Sequence, residues 1–227
     1  MPVRSIPRNY RSLTGRVNNA RNQVTVAFES ALERDFYLLL DFDSTVASFE
    51  EQPVRIDYEY PAGTRRTYTP DVLVYYRAEP AVVRTPPPAL CEVKYREDLR
   101  AHWDEYKPKF KAAKRYARQQ CWVFRLVTER EIRTPYLKNV KFLREYQRRV
   151  VDRGDCCRLL AAMAEQGETD AKALLTKLSP TPDVYARLLP VLWHLVAVGQ
   201  IGANLVVPLT MRSALWPRLP IQAGSDG

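Results

Sequence analysis

Histidine and cysteine are scarce in this chain of 227 residues, which contains two histidines and four cysteines. The cysteines, which are Cys91, Cys121, Cys156 and Cys157, do not show the Cys-x-x-Cys spacing of zinc sites. A zinc site is therefore not expected. Cys91 and Cys121 lie in predicted strands, where we expect both to act as small buried hydrophobic residues.

Long apolar runs are also missing from the sequence. No run reaches the roughly 20 apolar residues of a transmembrane helix, so no membrane span is predicted. The first residues lack the apolar core of a signal peptide, and we expect a protein of the reducing cytoplasm. Hydrophobic residues nevertheless make up 46% of the chain and aromatic residues 11%, which is typical of a folded globular protein.

The excess of positive charge is confined to one segment. Residues 96–149 contain 16 basic and 7 acidic side chains, so this segment carries a charge equal to the +9 of the whole chain. A basic excess of this kind indicates a face that binds a polyanion. The alternative is surface charge that serves only solubility.

The middle of the sequence contains two strand-like runs rich in Val, Leu and Tyr, TYTPDVLVYYR from residue 67 and ALCEVKYRE from residue 89. Glu92 and Lys94 are two residues apart in the second run, so they project from the same face of an extended chain. If Asp71 on the neighbouring strand faces the same side, two carboxylates and one ammonium meet at one place.

Such a cluster has a chemical use. Carboxylate oxygens bind hard divalent cations such as Mg²⁺, and a nearby lysine can orient or deprotonate a water for attack on phosphorus. Pro70-Asp71, followed about twenty residues later by Glu92-x-Lys94, is the PD-(D/E)xK nuclease pattern. The alternative is a solvated face with a weak ion pair. The surrounding elements favour the nuclease, because they supply the other parts of such a site.

An amphipathic helix is predicted upstream over residues 28–40, which read FESALERDFYLLL. Glu29 and Glu33 are four residues apart and share one helix face. One of them can provide a further ligand to metal or water, and Glu33 is the better candidate because it lies among apolar residues. The alternative for each is an ordinary solvent-facing carboxylate.

A basic amphipathic helix is predicted downstream over residues 97–118, interrupted or kinked by Pro108. Its basic side chains can contact DNA phosphates beside the carboxylate cluster. These candidate DNA-binding residues are Lys107, Lys109, Lys111, Lys114, Arg115 and Arg118.

The composition changes after about residue 152, and the predicted domains are a basic N-terminal arm (1–23), a nuclease domain (24–150) and a C-terminal domain (151–227). The arm is either a flexible tail or a contact to DNA or a partner. In the C-terminal domain, three predicted helices and a hairpin-like wing over residues 201–209 favour a winged-helix-like fold. Because residues 150–227 carry 7 basic and 7 acidic side chains, DNA binding and protein docking both stay open.

Five sequence runs, taken in order, resemble the TnsA family over roughly residues 28–145: ESALERDFYLLLDFDSTVASFEEQP, YTPDVLVYY, CEVKYRE, WVFRLVTEREIR and NVKFL. Members of this family are the endonuclease subunits of heteromeric transposases in cut-and-paste elements. The resemblance implies an α/β fold, in which a restriction-endonuclease-like mixed sheet flanked by helices is followed by a small helical winged-helix-like domain.

The resemblance also implies site residues. Asp71 and Lys94 match the motif aspartate and lysine, Glu92 matches the middle acidic position, and Glu33 matches the helix glutamate, with Glu29 as the alternative. Gln52 is expected only to lie near the site.

The expected activity is Mg²⁺-dependent hydrolysis of the non-transferred (5′) strands at transposon ends, with Mn²⁺ as an alternative cation. Asp71, Glu92 and the main-chain carbonyl of Val93 are expected to hold the metal, Glu33 to complete its outer side, and Lys94 to position the attacking water.

The partners that the resemblance implies are double-stranded DNA at transposon ends, a DDE-type, TnsB-like transposase, and a TnsC-like AAA+ ATPase that binds the C-terminal region. Two other hypotheses remain, a non-catalytic DNA-binding or adaptor subunit and a stand-alone restriction or repair nuclease with the same site.

Overall fold

A computed structural model describes residues 15–19, 24–28, 30–60, 63–78 and 85–218 of the chain. Two units, residues 1–133 and 134–227, are each held together by their own internal contacts. Glu29 and most of the predicted basic arm lie outside the described residues. No helix within the described ranges combines the length and the apolar character needed to cross a membrane.

The first unit contains most of the strands. Its elements are β1 (Gly15–Asn19), β2 (Val24–Phe28), α1 (Ala31–Phe42), β3 (Val46–Glu51), β4 (Ile56–Tyr60), β5 (Thr64–Tyr68), β6 (Val72–Tyr76), β7 (Ala89–Val93), α2 (Arg96–Ala101), α3 (Trp103–Gln119), β8 (Val123–Val127) and α4 (Glu129–Ile132).

A mixed sheet with the strand order β3-β6-β7-β8 forms the centre of this unit. Strand β6 is antiparallel to β3 and β7, whereas β8 is parallel to β7. Strands β1 and β2 pair with each other, as do β4 and β5. The mixed sheet flanked by helices confirms the predicted fold class.

Both faces of β6 and β7 are covered, which is why these strands read as nearly continuous apolar runs. Val72 and Val74 pack with residues of α1 on one face. Leu73 and Leu90, which are register partners, pack with residues of α3 on the other. On β6 the side chains two residues from Leu73 therefore also point towards α3, and on β7 so do those two residues from Leu90.

Helix α1 begins at Ala31, three residues after the start at Phe28 that the sequence suggested. Ser30 is its N-cap, because its side-chain oxygen accepts a hydrogen bond from the backbone N–H of Glu33 at 3.1 Å. The helix then continues to Phe42.

The predicted basic helix is two helices, α2 and α3, and the interruption falls at His102 rather than at Pro108. Pro108 lies inside α3 and removes only the hydrogen bond to the carbonyl of Asp104, an exposed residue of the first turn. At His102 the backbone leaves the helical conformation, with φ −121° and ψ 24°. The ring Nδ1 of His102 lies 2.9 Å from a carboxylate oxygen of Asp98.

The two cysteines predicted to be buried behave differently. Cys91 lies in the core of β7, where burial raises the pKa of its thiol to about 12. For Cys121 the prediction was wrong, because this residue is exposed in the turn after α3 and has a positive φ of 58°. Strand β8 begins only two residues later.

The second unit consists mainly of helices. Its elements are α5 (Pro135–Gln147), α6 (Arg153–Gln166), β9 (Thr169–Asp170), α7 (Ala171–Leu178), α8 (Pro182–Ala197), β10 (Ile201–Ala203) and β11 (Ala214–Pro217). Phe142 of α5 packs edge-on against Trp193 of α8, with ring centroids 5.4 Å apart. Helix α5 therefore belongs to this unit, although the predicted nuclease domain (24–150) included it.

The last strands form a small sheet with the order β10-β11-β9. The predicted wing over 201–209 is longer in the structure, since β10 pairs with β11 across a loop of residues 204–213. Buried Asn139 of α5 holds this loop. Its side-chain amide donates to the carbonyls of Leu205 and Val207 at 2.8 and 2.7 Å and accepts from the N–H of Leu209 at 3.0 Å.

Candidate functional site

The candidate site lies where β6 begins and β7 ends. The antiparallel register pairs Val72 with Cys91, and one step further along it sets Asp71 opposite Glu92. The backbone N–H of Val93 donates a hydrogen bond of 2.7 Å to Oδ2 of Asp71. Residues opposite each other in an antiparallel ladder point to the same face, so the Asp71 and Glu92 side chains share the α3 side of the sheet.

The main chain of Asp71 is fixed from a second direction. Its carbonyl accepts hydrogen bonds from the N–H of Gln52 at 2.9 Å and from the hydroxyl of Tyr37 at 3.4 Å. Gln52 follows β3 in a left-handed conformation with φ 45°, which turns the chain beside the site. The structure thus places Gln52 next to Asp71, as the resemblance implies.

Glu92 is the most deeply buried acid of the site, with 2% of its surface exposed. Its Oε2 accepts a hydrogen bond of 2.6 Å from the hydroxyl of Tyr68. Its Oε1 lies 3.5 Å from Nζ of Lys94 and 3.2 Å from Nζ of Lys109. Two ammonium groups therefore converge on one carboxylate oxygen.

Lys94 continues β7 beyond its last paired residue. Its backbone N–H donates to the carbonyl of Val127 at 3.1 Å, so the parallel pairing with β8 fixes where the lysine leaves the sheet. The structure thereby brings together the three motif side chains that the sequence singled out, Asp71, Glu92 and Lys94.

Glu33 approaches the site from the first turn of α1. Its side chain is buried, and Oε1 accepts a hydrogen bond of 3.0 Å from the hydroxyl of Ser30. Tyr37, one turn later on the same helix face, is the residue that reaches the carbonyl of Asp71. Glu29, the alternative helix carboxylate, lies outside the described residues.

Three carboxylates, those of Asp71, Glu92 and Glu33, lie close enough at the site to interact with one another and with the ammonium of Lys94. Burial raises the pKa of Asp71 well above its usual range, and the carboxylates of Glu92 and Glu33 raise it further against the opposing effect of Lys94. Burial alone would lower the pKa of Lys94, but the charges of Asp71, Glu92 and Glu33 outweigh it and raise this pKa above its ordinary value. Lys94 is therefore an ammonium group, which can donate but not accept a hydrogen bond.

The donor set fits a hard divalent cation, with one restriction. Throughout the part of the chain that the structure describes, no three His, Cys, Asp or Glu side chains form a group that could hold a metal ion. Asp71 and Glu92 provide oxygen of the kind that Mg²⁺ prefers, and a cation would relieve the repulsion that raises the pKa of Asp71.

The basic residues of α3 fall into two groups. Lys109 points to Glu92, whereas Lys107, Lys111 and Arg115 line an open cavity of about 1050 Å³ beside β4 and β5. A second open cavity of about 500 Å³ is lined by Lys111, Lys114, Arg115, Arg118 and Gln119. Five of the six candidate DNA-binding residues thus face open space on the outside of α3.

Sequence reasoning missed the roles of Tyr68 and Lys109. Tyr68 lies at the end of a hairpin strand, and no local pattern shows that its hydroxyl meets Glu92. For Lys109 a signal existed, because it follows Tyr106 by three residues and so lies beside the apolar row of the helix.

We predict that Asp71→Asn stabilises the folded protein at neutral pH. Asparagine keeps an acceptor for the Val93 N–H but carries no charge, so the variant avoids burying a carboxylate beside two others. The expected rise in Tm is about 2–5 °C at pH 7.

The gain should shrink as the pH falls through the raised pKa of Asp71, because the wild-type carboxyl group then becomes neutral as well. Calorimetric melting at several pH values measures this. The control is Asp57→Asn, which changes an exposed aspartate of β4. An unchanged or lower Tm for Asp71→Asn, relative to that control, would contradict the prediction.

A mixed sheet flanked by helices, with an aspartate opposite a Glu-x-Lys pair at adjacent strand ends, defines the restriction-endonuclease-like PD-(D/E)xK class. The family model of the TnsA-like endonuclease N-terminal domain matches residues 43–129, and that of the TnsA endonuclease C-terminal domain matches residues 131–205. The chain belongs to the TnsA-like endonuclease family. No curated protein matches it.

Proposed function

We propose that this protein is the metal-dependent endonuclease subunit of a heteromeric transposase, and that it hydrolyses the non-transferred (5′) strands at transposon ends. The observation that carries the proposal is the convergence of Asp71, Glu92 and Lys94 at the adjoining ends of two strands. Membership of the TnsA-like family supports the substrate class.

The cation is Mg²⁺, with Mn²⁺ as a substitute. Asp71, Glu92 and the main-chain carbonyl of Val93 would hold it, and the buried Glu33 would complete its outer side. When bound, the ion would polarise the scissile phosphodiester and stabilise the charge that develops on it.

Lys94 positions the attacking water. The neighbouring carboxylates raise its pKa, so at neutral pH it donates a hydrogen bond to the water oxygen rather than removing a proton. Its ammonium is held between Glu92 and the open side of the site, with 26% of the side chain exposed. A water beside the scissile phosphate would therefore be oriented by a group that is already in place.

The outer face of α3 binds the DNA backbone in this proposal. Lys107, Lys111, Lys114, Arg115 and Arg118 would contact phosphates while the scissile strand passes the ends of β6 and β7. Phosphate contacts position the duplex but do not select a base sequence. Selection of the ends would come from a DDE-type transposase, and control from an AAA+ ATPase that binds the C-terminal region.

The test is strand-specific cleavage of labelled end DNA. The isolated chain is expected to cleave poorly, whereas addition of the transposase and ATPase with Mg²⁺ should produce cuts on the 5′ strands. EDTA should abolish these cuts. Strong, sequence-specific cleavage by the chain alone would instead support a stand-alone restriction or repair nuclease.

A second candidate function is a non-catalytic DNA-binding or adaptor subunit. The observation that favours it is that both carboxylate oxygens of Glu92 already have partners within the chain, namely Tyr68, Lys94 and Lys109. The intact motif set favours the enzyme. If cleavage in the reconstituted mixture changes neither on removal of the metal nor on substitution of Asp71, the adaptor is supported.

A further inference from the structure

Lys109 contacts the carboxylate oxygen that a cation would need. Its Nζ lies 3.2 Å from Oε1 of Glu92, closer than the Nζ of Lys94 at 3.5 Å. The other oxygen of Glu92 accepts the 2.6 Å hydrogen bond from Tyr68. In the protein alone, both oxygens of Glu92 are thus engaged by donors from the chain itself.

The ammonium of Lys109 is held firmly in this place. Its Nζ lies 4.2 Å from the ring centroid of Tyr106, 4.9 Å from that of Tyr68 and 5.2 Å from that of Phe110. Ring faces attract a cation, most strongly when water is largely excluded. Only 16% of the Lys109 side chain is exposed, compared with 26% for Lys94. This lysine belongs to the site and not to the solvated face of α3.

Building on the proposed function, we propose that Lys109 is a positioning residue that competes with the divalent cation for Glu92, so that the DNA-free protein binds the cation weakly. Direct ligation by Mg²⁺ places the ion about 2.1 Å from its oxygen ligand. An ammonium 3.2 Å from the same oxygen repels such an ion and occupies a lone pair that it needs. Cation binding therefore requires Lys109 to move away.

DNA offers Lys109 another acceptor. The lysine lies on the helix whose outer face carries Lys107 and Lys111, so a duplex bound there brings phosphates towards the site. Transfer of the ammonium from Glu92 to a phosphate would free the carboxylate for the cation. By linkage, DNA would then strengthen cation binding, and the cation would strengthen DNA binding by the same factor.

The first measurement is calorimetric titration of Mn²⁺ into the full chain without DNA. Lys109→Met keeps the length of the side chain and removes its charge, and we expect it to bind Mn²⁺ about tenfold more tightly than the wild type. The control is Lys172→Met, which removes one exposed charge from α7, and its Mn²⁺ affinity should stay within about twofold of the wild type. Asp71→Asn should abolish binding in either background.

The outcomes separate the two proposals. Equal Mn²⁺ affinities for the wild type and Lys109→Met, both dependent on Asp71, would overturn the competition and leave the proposed hydrolase intact. Absence of Asp71-dependent Mn²⁺ binding in every variant would overturn both. A lower Tm of Lys109→Met without tighter Mn²⁺ binding would identify the Lys109–Glu92 contact as a purely structural ion pair and overturn the competition.

The second measurement is the affinity for a short duplex with and without Ca²⁺. Addition of Ca²⁺ should raise the DNA affinity of the wild type more than that of Lys109→Met. Only the wild type has an ammonium group at Glu92 that competes with the cation and that DNA can draw away. Lys109→Arg, which keeps the charge, should behave like the wild type in both measurements. The same gain from Ca²⁺ in the wild type and Lys109→Met would overturn the coupling through Lys109.

Discussion

Replacement of Asp71 by alanine should reduce cleavage of the 5′ strand in the reconstituted mixture by about 10³-fold or more. The substitution removes one of two carboxylates that converge from adjacent strands, and with it the acceptor for the Val93 N–H. Glu92 alone, already in contact with two ammonium groups, is not expected to retain the cation. Gel analysis of labelled strands measures the loss.

Assembly on end DNA should survive Asp71→Ala, because no candidate DNA-binding residue is changed. Glu165→Ala, at an exposed position of α6, serves as the control and should cleave like the wild type. Full cleavage by Asp71→Ala would remove the enzymatic interpretation and leave the adaptor.

Lys94→Met should lower cleavage by about 10²–10³-fold while leaving DNA binding close to that of the wild type. The variant keeps the apolar stem of the side chain but cannot orient the attacking water. Loss of the ammonium also leaves Asp71, Glu92 and Glu33 with less opposing charge, so Tm should fall. Cleavage kinetics and melting are measured on the same preparation.

Lys172→Met is the control for Lys94→Met, because Lys172 is exposed on α7 and distant in sequence from the motif. Arginine at position 94 should not restore the rate, since a planar guanidinium does not replace a compact ammonium. Cleavage within about twofold of the wild type for Lys94→Met would refute the assigned role.

The strands of the site could be predicted because their sequence pattern and their burial agree. Apolar runs around residues 72–76 and 89–93 indicated buried strands, and the i, i+2 spacing of Glu92 and Lys94 fixed their common face. The position of Asp71 opposite Glu92 needed the register, which depends on tertiary packing and on the excursion between the strands.

Other features depended on contacts that no local pattern encodes. Pro108 looked like a helix breaker, yet the helix tolerates it near its exposed start, whereas His102 ends the preceding helix. The extent of the C-terminal unit followed from packing between α5 and α8. Lys109 looked like one more phosphate contact, because charge alone does not reveal that three aromatic rings and a buried carboxylate surround it.

Asn139 provides three of the hydrogen bonds that fix the course of the loop of residues 204–213, and the N–H of Lys172 donates a further one to the carbonyl of Met211. The hydrogen bonds of Asn139 go to main-chain groups of that loop. The side chains of Val206 and Val207 point outward, and these residues are 68% and 46% exposed. Substitutions at these two positions would change what the loop displays without disturbing the hydrogen bonds that shape it. The outward side chains can consequently diverge quickly between relatives, provided that the asparagine in α5 is retained.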